Sequence, residues 1–246
     1  MDSKSKKSYV CALHIAKLVL RFILFCAVLV IYILNRAWSG EGVFGSERAD
    51  LIILGTIFGL FLIDMMFRFF PSNMESKGCQ KQFSKNFIPT SEKTPKKQKW
   101  QPTLAMFFIW IGLGALVGAL YFCGILTKGI LVLICLLYSV CDMICIMFFC
   151  PFQMFIMKNK CCTTCRIYNW DFAMIFTPLV FVNNAFCWGL IGVSLILVVQ
   201  WEIIYHTHPE RFTQNTNGCL SCENCAEKSC HNKNKVKKLF GATPKK

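Results

Sequence analysis

Residues 51–70 have the sequence LIILGTIFGLFLIDMMFRFF, and this stretch decides the fold class of the chain. An α-helix of about twenty residues is roughly 30 Å long, which matches the hydrocarbon core of a lipid bilayer. Only two side chains in the stretch are charged, Asp64 and Arg68. The stretch therefore predicts a transmembrane helix.

The two charged residues of this stretch lie four positions apart, so they share one face of the helix. A carboxylate in hydrocarbon needs a partner, and Arg68 is the nearest cation to Asp64 in the sequence. We therefore expect a structural ion pair near the membrane interface. The alternative is that the two side chains belong to a polar pathway.

Four further apolar segments flank this stretch, and 55% of all residues are hydrophobic. They cover residues 10–35, 103–122, 130–157 and 172–205. This pattern predicts an all-α fold, a multi-pass transmembrane helix bundle over residues 10–205. The polar regions are a basic N-terminal arm at 1–9, a basic loop at 71–102, a cysteine loop at 158–171 and a cysteine-rich basic tail at 206–246.

Polar side chains also occur inside the first and fourth segments. Lys17 and Arg21 fall near the N-terminal end of the first segment, and we expect both to extend to the lipid headgroups. Asp142 is the most deeply placed carboxylate of the chain. Two alternatives are open for it: it carries a proton, or a cation or hydroxyl on another helix satisfies it, with Arg21 and Arg68 as candidate cations.

The fifth segment, residues 172–205, is longer than a bilayer requires, since one helix of that length would be roughly 50 Å long. Thr177-Pro178 and Asn183-Asn184 interrupt it. It either crosses once after a short interfacial helix, or it is a broken re-entrant pair. Broken helices at membrane depth often line cavities.

Charge is strongly one-signed, with 27 Lys and Arg against 13 Asp and Glu. In a multi-pass chain this favours the positive-inside arrangement in a cell membrane, with the N-terminus and residues 77–99 cytoplasmic and the latter on anionic lipid headgroups. No pattern of arginine and aromatic residues indicates nucleic acid. The tail is cytoplasmic if the fifth segment doubles back, which charge and cysteine chemistry favour, and outside if that segment crosses once.

Sixteen cysteines are present, and seven of them form two polar clusters. Two Cys-x-x-Cys knuckles lie in these clusters, a spacing typical of zinc sites with four thiolates. The predicted ligands are Cys162, Cys165, Cys222 and Cys225, with Cys161, Cys219 and Cys230 as additional ligands. The cofactor is zinc or an iron–sulfur cluster. The tail departs from the bacterial ferredoxin spacing by a longer last gap and by His231 after it.

These features predict an integral membrane protein whose metal site, with zinc favoured, clamps the cysteine loop to the tail. The role of the site would be structural or regulatory, including recruitment of a protein partner at the cytoplasmic face. One alternative is a membrane redox protein that uses a cluster or a thiol pair. The other is a small transporter that uses Asp64, Arg68 and Asp142. No nucleophile elbow, P-loop or HExxH motif occurs, so the sequence leans away from an enzyme.

Overall fold

A computed structural model describes residues 3–38, 47–71, 78–92, 94–95, 99–157 and 164–221. Within these ranges the chain is helical, and the only β-type pairing is a single bridge between Pro89 and Asn217. The α-helices are α1 (Ser3–Trp38), α2 (Glu47–Phe69), α3 (Trp100–Phe122), α4 (Lys128–Met147), α5 (Asp171–Phe176) and α6 (Ala185–Thr207). Short helical turns lie at Gly78–Lys81, Ser84–Asn86, Phe152–Ile156, Arg166–Trp170, Thr177–Phe181, Pro209–Phe212 and Gly218–Leu220.

Five of the helices in the described part, α1, α2, α3, α4 and α6, are long and apolar enough to cross a membrane. Their outward faces carry large apolar side chains, and Ile52 and Phe108 are 67% and 63% exposed. Exposed apolar surface along whole helices is unfavourable in water and favourable in lipid. The predicted all-helical fold is confirmed over the described residues, and five of its helices are compatible with a membrane.

Two boundaries differ from the sequence prediction. The first helix begins at Ser3, so the helix includes most of the basic arm that was expected to precede it. The fourth helix ends at Met147, ten residues before its predicted end at 157. Pro151 explains the early end, because proline lacks a backbone N–H and disfavours helical backbone at the residue before it. A short wide helical turn, Phe152–Ile156, follows the break.

The fifth apolar segment is interrupted at both predicted places. After α5, Pro178 lies in the tighter turn Thr177–Phe181. Residues 182–184 then join this turn to α6, where the Asn184 side chain caps the helix by accepting from the Phe186 N–H at 2.9 Å. At the far ends of the two halves, the Trp170 Nε1–H donates to Glu202 Oε1 at 2.9 Å. The two halves therefore lie side by side as a hairpin.

The core lies where α2, α4, α5 and α6 meet. The Phe61 and Phe176 rings pack edge to face with centroids 5.2 Å apart. Phe58 packs against Phe186 near the start of α6, and Trp201 near its end donates to the backbone oxygen of Arg68. Because these contacts keep the same order along both helices, α2 and α6 run parallel.

The third helix packs closely on the turn Thr177–Phe181 through two glycines. A Cβ atom at Gly118 would lie 2.6 Å from Phe181 Cζ, and one at Gly114 would lie 2.9 Å from Thr177 Cγ2. These distances are shorter than real side-chain contacts allow. Gly112 on the same helix has no atom within 4 Å of such a Cβ.

We expect Gly118→Leu to lower the free energy of unfolding by about 1–3 kcal/mol, because the added side chain overpacks against the Phe181 ring. Thermal unfolding in detergent micelles measures the effect. Gly112→Leu is the matched control, since it adds the same side chain to an open part of the same helix. An equal loss of stability in both variants would contradict the packing described for Gly118.

Candidate functional sites

Asp64 on α2 binds two cations of α1. Its Oδ1 atom lies 2.6 Å from Lys17 Nζ, and its Oδ2 atom lies 2.6 Å from Arg21 Nη2. The Arg21 side chain is only 3% exposed, and its guanidinium lies 5.2 Å from the centre of the Phe61 ring. The expectation that Lys17 and Arg21 extend to the headgroups is therefore wrong, because a carboxylate on the neighbouring helix supplies their counter-charge.

Arg68 does not pair with Asp64, which corrects the predicted ion pair within α2. Its Nη1 atom donates to Asp171 Oδ1 at 2.9 Å, and its Nη2 atom donates to Asp171 Oδ2. The guanidinium is also sandwiched between the rings of Tyr168 and Phe172, at 4.8 and 4.6 Å. The pair is bidentate, which is the geometry that arginine and carboxylate groups favour. Arg68 thus joins α2 to the start of α5.

Asp171 is a functional candidate that the sequence reasoning missed. It lies at the first position of α5, outside the five long helices. Burial raises the pKa of its carboxyl group, and the Arg68 guanidinium opposes that shift. The available signal was its position, since Asp171 directly precedes the fifth apolar segment, residues 172–205.

Asp142 on α4 lies beside Arg21, one of the two cations proposed for it. Arg21 Nη1 is 3.5 Å from Asp142 Oδ2 and donates to the Ser139 backbone oxygen at 3.0 Å. The Asp142 Oδ2 atom is buried and accepts no hydrogen bond from the described residues. Arg21 therefore bridges two carboxylates, Asp64 and Asp142, which joins α1, α2 and α4.

A cavity of about 520 Å³ opens between α3, α4 and the chain around α5. Its volume lies within the roughly 300–1,000 Å³ typical of small-molecule sites. Its walls are mainly apolar. The wall also contains the thiols of Cys141, Cys145, Cys150 and Cys165 and the polar side chains of Tyr138, Asp142, Gln153, Tyr168, Asp171 and Thr177. Two carboxylates of the ion pairs described above, Asp142 and Asp171, thus also line the cavity.

The predicted metal ligands fall mostly outside the described residues. Cys161, Cys162, Cys222, Cys225 and Cys230 lie there. Cys165 is buried and Cys219 is half-buried. Among the residues that the structure describes, no three His, Cys, Asp or Glu side chains are placed to hold a metal ion. What the structure contributes is the position of the two segments that carry the cysteines.

Both cysteine segments are attached to the same short part of the basic loop. The Asn217 Nδ2 group donates to the Lys81 backbone oxygen at 3.1 Å, two residues before Cys219. The Asn169 Nδ2 group donates to Gln82 Oε1 at 3.3 Å, four residues after Cys165. Lys81 and Gln82 are neighbours in the chain, so the two anchors lie close together.

The first part of the tail continues along this loop. The Gly218 N–H donates to the Ile88 backbone oxygen at 2.8 Å, and the Thr90 N–H donates to the Thr216 backbone oxygen at 3.3 Å. Asn217 also accepts from the Cys219 N–H at 3.0 Å. Residues 216–219 are therefore held on residues 81–90 up to three positions before Cys222.

The cysteine loop is attached to the end of α6. Arg166, the residue after Cys165, forms an ion pair with Glu202 through its Nη2 atom. Its guanidinium lies 4.3 Å from the centre of the Tyr205 ring. Glu202 and Tyr205 belong to the last two turns of α6, which end at Thr207 just before the tail. The end of the cysteine loop and the beginning of the tail therefore share one end of α6.

None of these anchoring residues was predicted from the sequence. Asparagine and glutamine side chains follow no sequence pattern from which such contacts can be predicted. No protein-family model, no curated protein and no solved structure matches the chain.

Proposed function

We propose that this is an integral membrane protein in which a cysteine-ligated metal ion, zinc by preference, clamps the cysteine loop to the tail. The observation that carries the proposal is the shared anchor at Lys81 and Gln82, where Asn217 and Asn169 bind neighbouring residues. Cys219 and Cys165 are close in sequence to these anchors. The two Cys-x-x-Cys pairs lie within a few residues of these anchors along the chain, so the pairs can meet.

The clamp requires that the fifth apolar segment doubles back, and the contacts of its two halves support that course. Thr177 accepts a hydrogen bond from Trp110 Nε1 at 2.7 Å, and Phe181 lies against Gly118 about two turns further along α3. The segment thus follows α3 towards the end of that helix. The chain then turns at residues 182–184, and α6 returns to bring Glu202 back to Trp170. We propose a re-entrant pair, with the tail on the same side as the basic loop.

The predicted orientation follows from the same arrangement. Residues 77–99 and the tail carry many lysines, and positive charge favours the cytoplasmic side of a cell membrane. We propose that the N-terminus, the basic loop and both cysteine clusters are cytoplasmic, with the loop on anionic headgroups. In a reducing compartment clustered thiols remain available to metal. The clamp would be structural or regulatory, and it would present a surface to a protein partner.

We expect the purified protein to contain about one zinc ion per chain, since four thiolates complete a tetrahedral zinc site. Cys222→Ser together with Cys225→Ser should remove it, because each substitution deletes a ligand. Elemental analysis of protein purified without added metal is the measurement. Cys123→Ser is the matched control, because Cys123 is exposed in the turn between α3 and α4, remote from the proposed ligands.

Absence of metal from both the unmodified protein and the control variant would contradict the clamp. Broad visible absorption with iron in place of zinc would favour the redox alternative, because zinc thiolate sites are colourless while iron–sulfur clusters absorb visible light. Retention of one zinc ion by the double serine variant would assign the metal to other residues.

A further inference from the structure

The cavity between α3 and α4 shares one residue, Cys165, with the proposed clamp, and it has two distinct kinds of wall. Met106, Ile109, Leu113 and Val117 of α3 form an apolar side. Asp142, with Tyr138 one turn before it on α4, forms a polar side. A ligand that fits both walls has a long apolar part and a small polar head.

The rim of the cavity is apolar and exposed. Ile109, Leu113 and Ile144 are 37%, 46% and 41% exposed and also line the cavity. These residues lie inside two of the five membrane-compatible helices. In a bilayer such a rim faces acyl chains, so the direct source of a ligand is the surrounding lipid.

The charges around the cavity restrict the head group. The ion pairs described above form two groups, each with equal numbers of positive and negative side chains: Lys17, Arg21, Asp64 and Asp142 in one, and Arg68 and Asp171 in the other. A cationic head would add an uncompensated charge beside these balanced groups, and an anionic head would face two carboxylates in the wall. Each would be costly at membrane depth. A neutral head carries no such penalty.

The neutral head must donate a hydrogen bond. Asp142 lines the cavity with a side chain that is 17% exposed, and its buried Oδ2 atom faces Arg21 at 3.5 Å without a hydrogen bond. Its nearest cation, Arg21, gives a hydrogen bond to the Ser139 backbone oxygen and another to Asp64. A buried carboxylate gains stability from donors, and a hydroxyl group supplies one without adding charge.

We propose that this cavity binds a long-chain lipid with a neutral hydroxyl head, taken from the bilayer, and that Asp142 accepts the hydroxyl hydrogen bond. The apolar chain lies along the α3 wall and leaves between Ile109, Leu113 and Ile144. This binding site requires no metal, so lipid binding can be tested independently of metal binding by the clamp.

The test uses the full chain reconstituted into phosphatidylcholine vesicles. The probe is a long-chain alcohol that carries a photoreactive diazirine in its chain, and its methyl ether is the matched probe without the donor. We expect the alcohol to label peptides of α3 and α4 at least about tenfold more than the ether, because a hydrogen bond to a charged group exceeds the free energy of a tenfold ratio. Excess unlabelled hexadecanol should suppress this labelling.

Two variants localise the binding. Cys141→Trp places a large ring in the cavity wall and should abolish saturable labelling. Leu137→Trp is the control, since Leu137 lies one turn earlier on α4, is 43% exposed and does not line the cavity. Asp142→Asn should reduce the preference for alcohol over ether, because its neutral amide oxygen is a weaker acceptor than a carboxylate, while the protein stays folded as judged by its thermal unfolding.

The proposal is overturned if the unmodified protein is labelled equally by alcohol and ether, or if hexadecanol fails to compete. It is also overturned if a long-chain amine or fatty acid competes better than the alcohol. These comparisons use the unmodified chain, so they remain decisive if a variant does not fold.

Discussion

Asp64→Asn is expected to lower the free energy of unfolding by about 3–5 kcal/mol, the usual cost of leaving a buried charge without its partner. The substitution keeps the size of the side chain but removes the negative charge that Lys17 and Arg21 share at 2.6 Å each. Arg21 is 3% exposed, so water cannot replace the lost carboxylate. Denaturant titration in detergent micelles measures the loss.

A charge-balanced double variant is the control for this prediction. Lys17→Met together with Asp64→Asn removes one positive and one negative charge, and Arg21 keeps Asp142 at 3.5 Å. We expect the double variant to be more stable than Asp64→Asn alone, since the remaining charges compensate each other. If the two substitutions are simply additive in their cost, the three side chains do not form the coupled group described here.

Arg68→Met is expected to have an effect of similar size, about 3–5 kcal/mol, for a related reason. Asp171 would lose both hydrogen bonds from the guanidinium, and the Tyr168 and Phe172 rings would lose the cation between them. Because this pair joins α2 to α5, the loss should also loosen the end of the cysteine loop. Protease sensitivity near Tyr168, measured alongside thermal unfolding, reports that second effect.

Two further variants separate charge from geometry at this pair. Arg68→Lys keeps the charge but not the planar fork, so its cost should be intermediate. Arg68→Met combined with Asp171→Asn removes both charges, and it should be about 1–3 kcal/mol more stable than the sum of the single variants predicts. A cost for Arg68→Lys as large as that of Arg68→Met would mean that charge alone contributes nothing at this position.

The helical membrane fold could be predicted because apolar length is a local property of the sequence. Residues 51–70 and the breaks at Pro178 and Asn184 illustrate this, since each depends on residues within a few positions. The early end of α4 at Met147 also depends on nearby residues. It was not predicted because the apolar residues continue past Pro151. Hydropathy alone does not separate a long helix from a helix followed by a packed loop.

The pairing of charges could not be predicted in the same way. Asp64 and Arg68 share a helix face, yet each binds a residue from another part of the chain, more than forty positions away. Sequence spacing identified the cations and carboxylates but not which of them meet, because that depends on how the helices pack. The contacts of Asn169 and Asn217 could not be predicted from the sequence for the same reason. Of the seven predicted metal ligands, the structure describes only Cys165 and Cys219.

The shared carboxylate at Asp64 has a consequence for the assembly of the protein. Before α2 is made, the membrane-compatible part of α1, Ala12–Asn35, carries Lys17 and Arg21 without the carboxylate of Asp64, and such a charge costs about 2.5–3.5 kcal/mol at the centre of a membrane helix. The first helix alone is therefore a poor candidate for stable insertion at its final depth. It should enter the bilayer together with α2 as a pair, and the order of synthesis and the order of membrane entry would then differ.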